Sequence, residues 1–397
     1  MIKTKVLIIG AGIAGLSLSL MVSKAGIDSI LVEKNTLSLD NNAPLDGRTA
    51  ALMGRSIDFL HDIGIWNDIA SHACALKTMQ IIDDSAPSKK PVSIAFQAHE
   101  INRKGFGFNI PNMILHRALY ERANMQKNIQ IITGHGFEQY KIQDQMIEAS
   151  FTNNLDISAQ LLIGADGKKS AVRQAMNIDT IDHNYDQMGM TCIISHSKPH
   201  DNISTEHHRT GGPFTFVPMN DGADGQHQSS LVWVEKTEQA KEYLSLNKQD
   251  LESVIQRKSN GLLGKLHIAS DIAQWPLHGV MAKSFTAPRC ALIAEAAHGF
   301  SPIGAQGLNL SLRDIRALAD LITNQYQSGG DLGSHHLLHR YEQTRRTDIG
   351  SRFLGVGFYN ALVSNNNNAL RALRHIGLQG LKFARPLRGL IMRQLLN

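Results

Sequence analysis

The residues best suited to chemistry lie late in the chain, at 289–314, RCALIAEAAHGFSPIGAQGLNLSLRD. An apolar, strand-like run of Ala291, Leu292 and Ile293 leads into a carboxylate, Glu295. A turn-rich loop with Pro302, Gly304 and Gly307 follows, and a helical pattern begins at Leu308. A strand, an acid, a glycine loop and a helix start together present backbone N–H groups to an electron-rich ligand. Nearly 280 residues upstream, Gly10-Ala11-Gly12-Ile13-Ala14-Gly15 matches G-x-G-x-x-G and asks for a dinucleotide.

The elements that must hold these groups are legible around them. Residues 5–9, KVLII, read as a buried parallel strand. Residues 16–22 read as the apolar helix that the glycines open. Gly10 permits the tight turn, Gly12 lets a pyrophosphate approach the backbone, and Gly15 lets helix and strand pack closely. A second strand at 29–32, SILV, ends in Glu33, 23 residues after Gly10, where a ribose hydroxyl needs an acceptor. Lys3 and Lys5 precede an apolar run, as in a secretory signal, but glycines break the run and no cleavage pattern follows. A third strand at 161–165, LLIGA, leads into Asp166-Gly167, a turn signal, with Ser170 placed to cap a helix carrying Val172 and Arg173.

Composition bounds the class. The chain has 397 residues, enough for two domains, and a hydrophobic fraction of 42%. No apolar stretch is long enough for a spanning helix. Cys74, Cys192 and Cys290 are scattered and read as buried thiols of a reducing compartment. The pairs His207-His208 and His335-His336 lack ligand spacing with Cys or acids, so no metal is expected. The net charge of +5 does not form a nucleic-acid footprint and leans toward the C-terminus. From Arg371 onward come Arg374, Lys382, Arg385, Arg388 and Arg393, without an acid, among Leu373, Ile376, Leu378, Leu381, Phe383, Leu387, Leu390, Ile391 and Leu395. Such a basic amphipathic tail suits an anionic membrane surface or an acidic partner, or else a solvated face of docked helices.

The three landmarks together resemble the class A flavoprotein monooxygenases, the family of para-hydroxybenzoate hydroxylase. Within it, the chain is most similar to the ubiquinone-biosynthesis hydroxylases. The residues that carry this are Asp46-Gly47-Arg48-Thr49-Ala50-Ala51-Leu52 with Ser56, Leu60, Gly64 and Trp66; Gly212-Pro213 through Pro218-Met219; Trp275-Pro276-Leu277; and Ala296-Ala297-His298 with Gln306-Gly307-Leu308-Asn309. Two departures stand out. Ala294-Glu295 replaces the wider family's Gly-Asp, and the loop reads Ile303-Gly304-Ala305-Gln306-Gly307 where many relatives have Ala-Gly before the Gln.

The resemblance implies an α/β fold: a discontinuous, Rossmann-like FAD-binding domain at 1–75, 105–180 and 276–345, and a β-sheet substrate domain at 76–104 and 181–275. Residues 346–397 are expected to form C-terminal basic amphipathic helices. It implies that FAD is held by Gly10, Gly12, Gly15, Glu33, Arg48, Asn112, Asp166, Glu295, Gly304, Gln306, Gly307 and Asn309. Asn112 also reads as a helix cap. Phe214, Phe216, Pro218 and Pro302 are expected to line the substrate pocket, although alternation in 214–217 says only that one strand face is buried. His298 reads as a structural histidine beside the flavin loop, and no residue is assigned as catalytic.

The implied reaction is ring hydroxylation of a polyprenylated phenol in ubiquinone synthesis, through a flavin C4a-hydroperoxide, with O2 as co-substrate and NAD(P)H or a reductase as donor. Implied partners are a ubiquinone-synthesis complex and the inner face of the membrane, touched peripherally from the cytoplasm. Two other readings remain: a hydroxylase of a small soluble aromatic, and a flavin-binding partner without turnover. No second G-x-G-x-x-G marks a separate NADPH domain, and the W-x-W-x-I-P of flavin halogenases is missing.

Overall fold

A computed structural model describes residues 1–36, 45–83, 91–209, 211–300, 306–364, 377–381 and 384–396. Two large sheets and one small sheet organise them. The first sheet is parallel at its centre. Strand Ile2–Ile9 lies between Leu155–Gly164 and Ser29–Glu33, and Ile129–Thr133 and Cys290–Leu292 extend it on either side. Val6, Leu7 and Ile8 are fully buried, as a strand covered on both faces requires. Helix Ile13–Ser23 follows the glycine turn and packs against helices Asn112–Asn124 and Gln306–Gln327. Among the described residues, the expected strand at 161–165 runs Leu155–Gly164, and the helix that begins at Asn112 runs Asn112–Asn124.

Two glycines of the turn fill the steric roles assigned to them. Gly10 has φ 105°, and a Cβ there would lie 2.5 Å from the Ala165 carbonyl oxygen. A Cβ on Gly15 would lie 2.0 Å from the Gly10 carbonyl oxygen, so helix and turn meet only because it is absent.

The second sheet is mostly antiparallel, in the order Ala273–Ala282, Thr180–His196, His227–Lys236, Gly212–Pro218, Ile203–Arg209, Thr78–Asp83, Val92–Gln97. It does not stop at the expected boundaries of 181 and 275. Thr180 pairs with Ala282 and Met188 with Pro276, so the ladder continues across both. Helices Thr237–Leu244 and Lys248–Lys258 cover its outer face. The small sheet, Thr49–Met53, Gly107–Pro111 and Cys74–Leu76, joins the two large ones. Gly47, at φ 77°, brings its carbonyl oxygen to the Thr191 hydroxyl at 3.0 Å, and a Cβ there would lie 2.8 Å from Cys192 Cα.

The C-terminal helix Arg385–Leu396 is docked rather than free. Met392 and Leu378 pack with Val92, Ile94, Phe96 and Phe106. Arg388 donates to Glu100 Oε1 at 2.6 Å and to the Ala95 carbonyl at 2.6 Å, and stacks over Phe96. This charge of the basic tail is therefore fixed on the second sheet. Its neighbours Leu387 and Leu390 are 48% and 56% exposed. The tail residues 365–376, 382 and 383 lie outside the described residues.

Candidate active site

One cavity of about 2260 Å³ lies between the two sheets. Its first wall is the carboxyl end of the parallel sheet, where open α/β folds bind ligands. Gly10, Gly12, Glu33, Arg48, Asn112, Asp166, Glu295 and Gly307 line it, from elements spread over three hundred residues.

Each of these groups is held by local chemistry. Glu33 closes its strand and accepts from the Ala11 N–H at 3.0 Å and the Asn35 N–H at 3.1 Å, which ties the acid to the glycine turn. Helix Ile13–Ser23 starts at Gly12 with no side-chain cap, and a Cβ on Gly12 would meet nothing within 4 Å. Open space before bare helix N–H groups suits a pyrophosphate. Asp166 Oδ2 accepts from the Ala171 and Val172 N–H groups at 2.7 and 3.1 Å, and Ser170 caps the helix at the Arg173 N–H, as expected. Arg173 then reaches across to the Ala296 carbonyl at 2.8 Å and ties the Asp-Gly turn to the Glu295 segment.

Two polar atoms in this wall are buried without a partner among the described residues: Asn112 Oδ1 and Asp166 Oδ1. Buried acceptors are rarely left so, and a ligand rich in hydroxyl and N–H donors would satisfy them. Asn112 is the first helical residue after the cap position Pro111, so its side chain does not serve as the cap. Arg48 is paired with Asp46 at 2.6 Å, and its carbonyl accepts the Asn112 N–H at 3.0 Å.

Glu295 lines the cavity with its side chain 58% exposed, and it pairs with Lys168 at 3.7 Å. Its carboxylate keeps its acceptor sites open to the cavity. Ala294 adopts φ 53°, a left-handed conformation that a glycine takes at no steric cost. Replacing glycine at this turn therefore strains the backbone rather than blocking the cavity.

His298 follows, 1% exposed, with Nε2 at 2.5 Å from Asp314 Oδ2. Asp314 also accepts the Arg345 Nε at 2.8 Å and the Ala294 N–H at 3.2 Å. Burial raises the Asp314 carboxyl, but His298 and Arg345 outweigh it and hold the group below its ordinary range. This is the structural histidine that the sequence implies. Its Nδ1, on a ring that lines the cavity, has no partner among the described residues.

Two sets of expected residues are placed differently. Asn309 is 5% exposed and faces the small sheet: Oδ1 accepts from the Met53 N–H at 2.9 Å and the Ser56 hydroxyl at 2.6 Å, and Nδ2 donates to the Ala51 carbonyl at 2.8 Å. Its side chain is a strut, and it does not line the cavity. Phe214, Phe216 and Pro218 lie on the wrong strand face for a pocket. Phe214 and Phe216 pack with Trp233 and Leu231 under the covering helices. Thr215 and Val217 face the cavity instead, in a row with Val232 and Thr191 across the sheet. Both faces of the strand are buried, so aromatic size did not reveal which one meets the ligand. Gly304 and Pro302 lie outside the described residues, as does the side chain of Gln306, whose backbone starts the helix Gln306–Gln327.

The second wall is apolar and went largely unassigned. It includes Met79, Ile81, Phe96, Val217, Val232 and Trp275, with Leu378, Leu381, Leu387 and Ile391 from the C-terminal segments. Trp275 is seated over Gly189, where a Cβ would lie 2.9 Å from the indole. A glycine inside a strand facing a tryptophan was the sequence signal for this site.

A glycine-turn parallel sheet facing an antiparallel sheet across one cavity defines a dinucleotide-binding flavoenzyme architecture. A family model described as an FAD binding domain matches residues 3–352, and the chain belongs to that family. FAD is accordingly the cofactor that the first wall serves. The relatives include ubiquinone hydroxylase UbiM of Neisseria meningitidis, 27% identical over 395 residues, covering 99% of this chain and 85% of that one. They also include the 3-demethoxyubiquinol 3-hydroxylase of Escherichia coli, 26% identical over 399 residues, covering 99% and 97%. Among solved structures, the p-nitrophenol 4-monooxygenase PnpA of Pseudomonas putida shares the fold at TM-score 0.80 and 16% identity, covering 100% of this chain and 99% of that one.

Proposed function

We propose that this protein is an FAD-dependent monooxygenase that hydroxylates the aromatic ring of a prenylated phenol in ubiquinone biosynthesis. The observation that carries the reading is the continuity of the cavity. A site for one drug-sized ligand spans roughly 300–1,000 Å³. At about 2260 Å³, this cavity has room for a dinucleotide against the polar wall and a second, apolar molecule against the other. The relatives named for ubiquinone hydroxylation match along nearly their whole length, which supports this substrate class.

The residues then divide the work. The Gly10–Gly12 turn and the start of helix Ile13–Ser23 would hold the pyrophosphate, and Glu33 the adenosine ribose. Asn112, Asp166 and Glu295 would take the hydroxyl-rich linker of the cofactor. FAD, when bound and reduced by NAD(P)H or a reductase, supplies the activation of O2 for transfer to the ring. The protein's part is to orient the ring and exclude water from it, and Val217, Val232 and Trp275 give it a dry, shaped wall.

Leu387 both lines the cavity and is 48% exposed, so it stands at an opening of the apolar side. With Leu390 and the exposed Arg393 it forms the proposed contact with the anionic inner face of the membrane, from the cytoplasm. Among the described residues, no helix is long and apolar enough to cross a membrane. Membership in a ubiquinone-synthesis complex is part of the same proposal.

Deleting the gene in its host and identifying the accumulated quinone precursor tests the function. A prenylated phenol lacking one ring hydroxyl is expected. Normal ubiquinone with no phenolic intermediate overturns the reading.

A further inference from the structure

Beyond the flavin cavity, the helical side of the molecule carries a second recess of about 690 Å³. Helices Gly54–Asp62, Gln306–Gln327 and His335–Ser364 form it. Five arginines and three aspartates are among its lining residues, and Asp314 and Asp62 behind them pair with Arg345 and Arg316. One aspartate, Asp348, serves three of the arginines: Arg352 at 2.8 Å, Arg345 at 2.9 Å and Arg313 at 3.8 Å. Asp314 takes a further Arg345 N–H, at Nε, from behind the recess.

Arg345 is 5% exposed, and its Nη2 is buried with no hydrogen-bond partner among the described residues. A buried, charged donor left unsatisfied is costly and needs an acceptor. Arg313 reports the same field: burial first, then the neighbouring guanidiniums of Arg352, Arg345 and Arg55, push it down to about 10 against the pull of Asp348. The donors come from three helices and so approach from several directions. A planar carboxylate offers two oxygens in one plane, whereas a tetrahedral phosphate offers acceptors to all of them.

We propose that the recess formed by Arg55, Arg313, Arg345 and Arg352 binds a phosphate group. The site is separate from the dinucleotide turn at Gly10–Gly15, and the proposal does not depend on which ring the protein hydroxylates. Arg345 also stands two hydrogen bonds from His298 of the main cavity, through Asp314.

The test is thermal unfolding of the FAD-saturated protein with pyrophosphate as the probe, at ionic strength held constant with chloride. A saturable rise in Tm is expected. Arg313→Gln and Arg55→Gln should each weaken it roughly tenfold, as expected for loss of one charge-assisted contact. Neither residue lines the flavin cavity or contacts Asp314 directly, so both variants should keep FAD. The source of the phosphate is read in two further arms. Competition by NADPH assigns it to a soluble nucleotide, and Arg313-dependent binding to phosphatidylglycerol vesicles assigns it to a lipid headgroup. No saturable rise, or one that is the same in both variants, overturns the proposal.

Discussion

Asn309→Ala separates a strut from a ligand. The family pattern assigns Asn309 to the cofactor, whereas the structure gives its side chain three contacts with residues 51–56. Truncation removes the acceptor for the buried Met53 N–H and the Ser56 hydroxyl, and the donor to Ala51. An unsatisfied buried polar group costs about 1–3 kcal/mol. The Met53 N–H has no freedom to turn away, while the Ser56 hydroxyl can rotate and the Ala51 carbonyl is only half-buried. The sum is then about 3 kcal/mol. Unfolding entropy of roughly 2.1 cal/mol/K per residue over 397 residues converts this to a fall in Tm of about 4 °C. The measurement is calorimetry on the FAD-free protein, so that cofactor binding does not contribute, followed by FAD titration. A variant as stable as its parent that binds FAD far more weakly would put Asn309 on the cofactor and refute the assignment.

The strand Gly212–Pro218 makes a paired prediction. Phe216→Ala should cost about 3–5 kcal/mol in denaturant unfolding by opening the core, whereas Val217→Trp should leave the unfolding midpoint nearly unchanged and raise KM by filling the cavity. If Phe216→Ala alters KM at unchanged stability, the two faces have been misplaced. Glu33→Ala removes a carboxylate that holds the glycine turn and would face the ribose, so the dissociation constant for FAD, read by flavin fluorescence, should rise about tenfold or more. The folded Asp314 is held below its unfolded pKa of about 3.9, so its contribution is present above that value and lost as pH falls through the folded pKa. Stability of the wild type should therefore fall more steeply below about pH 4 than that of Asp314→Asn; parallel curves by circular dichroism would remove Asp314 from the account.

Much of the first wall was legible because phosphate binding constrains backbone. Gly15 must lack a side chain because the Gly10 carbonyl lies against it, and Gly10 holds φ 105° in the turn, so the local pattern shows both directly, while Gly12 leaves open the space before the helix. Ser170 was legible for the same reason, since a cap acts within three residues. The second wall was not, because nothing local marks which face of a doubly buried strand meets a ligand. Thr215 and Val217 are known to face the cavity only through pairing with His227–Lys236 and Thr180–His196. The contacts of the Asn309 side chain with residues 51–56 were not legible, because a polar residue in a glycine-loop motif has the same sequence signature whether it holds a ligand or the neighbouring sheet. The expected boundaries at 181 and 275 fall within one continuous ladder, which carries an irregularity between Asn184 and Met188 rather than a break, and no local signal marks that continuity.

The cavity draws its lining from Ile9 near the start of the chain and Ile391 near its end. That span governs how the protein is made. Synthesis delivers the nucleotide turn well before the helix Arg385–Leu396, so strand Val92–Gln97 waits through almost three hundred residues of translation with Ile94 and Phe96 uncovered. A nascent chain stalled before residue 385 leaves uncovered the apolar residues that Met392 packs against in the folded protein. Helix Arg385–Leu396 is the element that removes this surface from the reach of chaperones and other nascent chains.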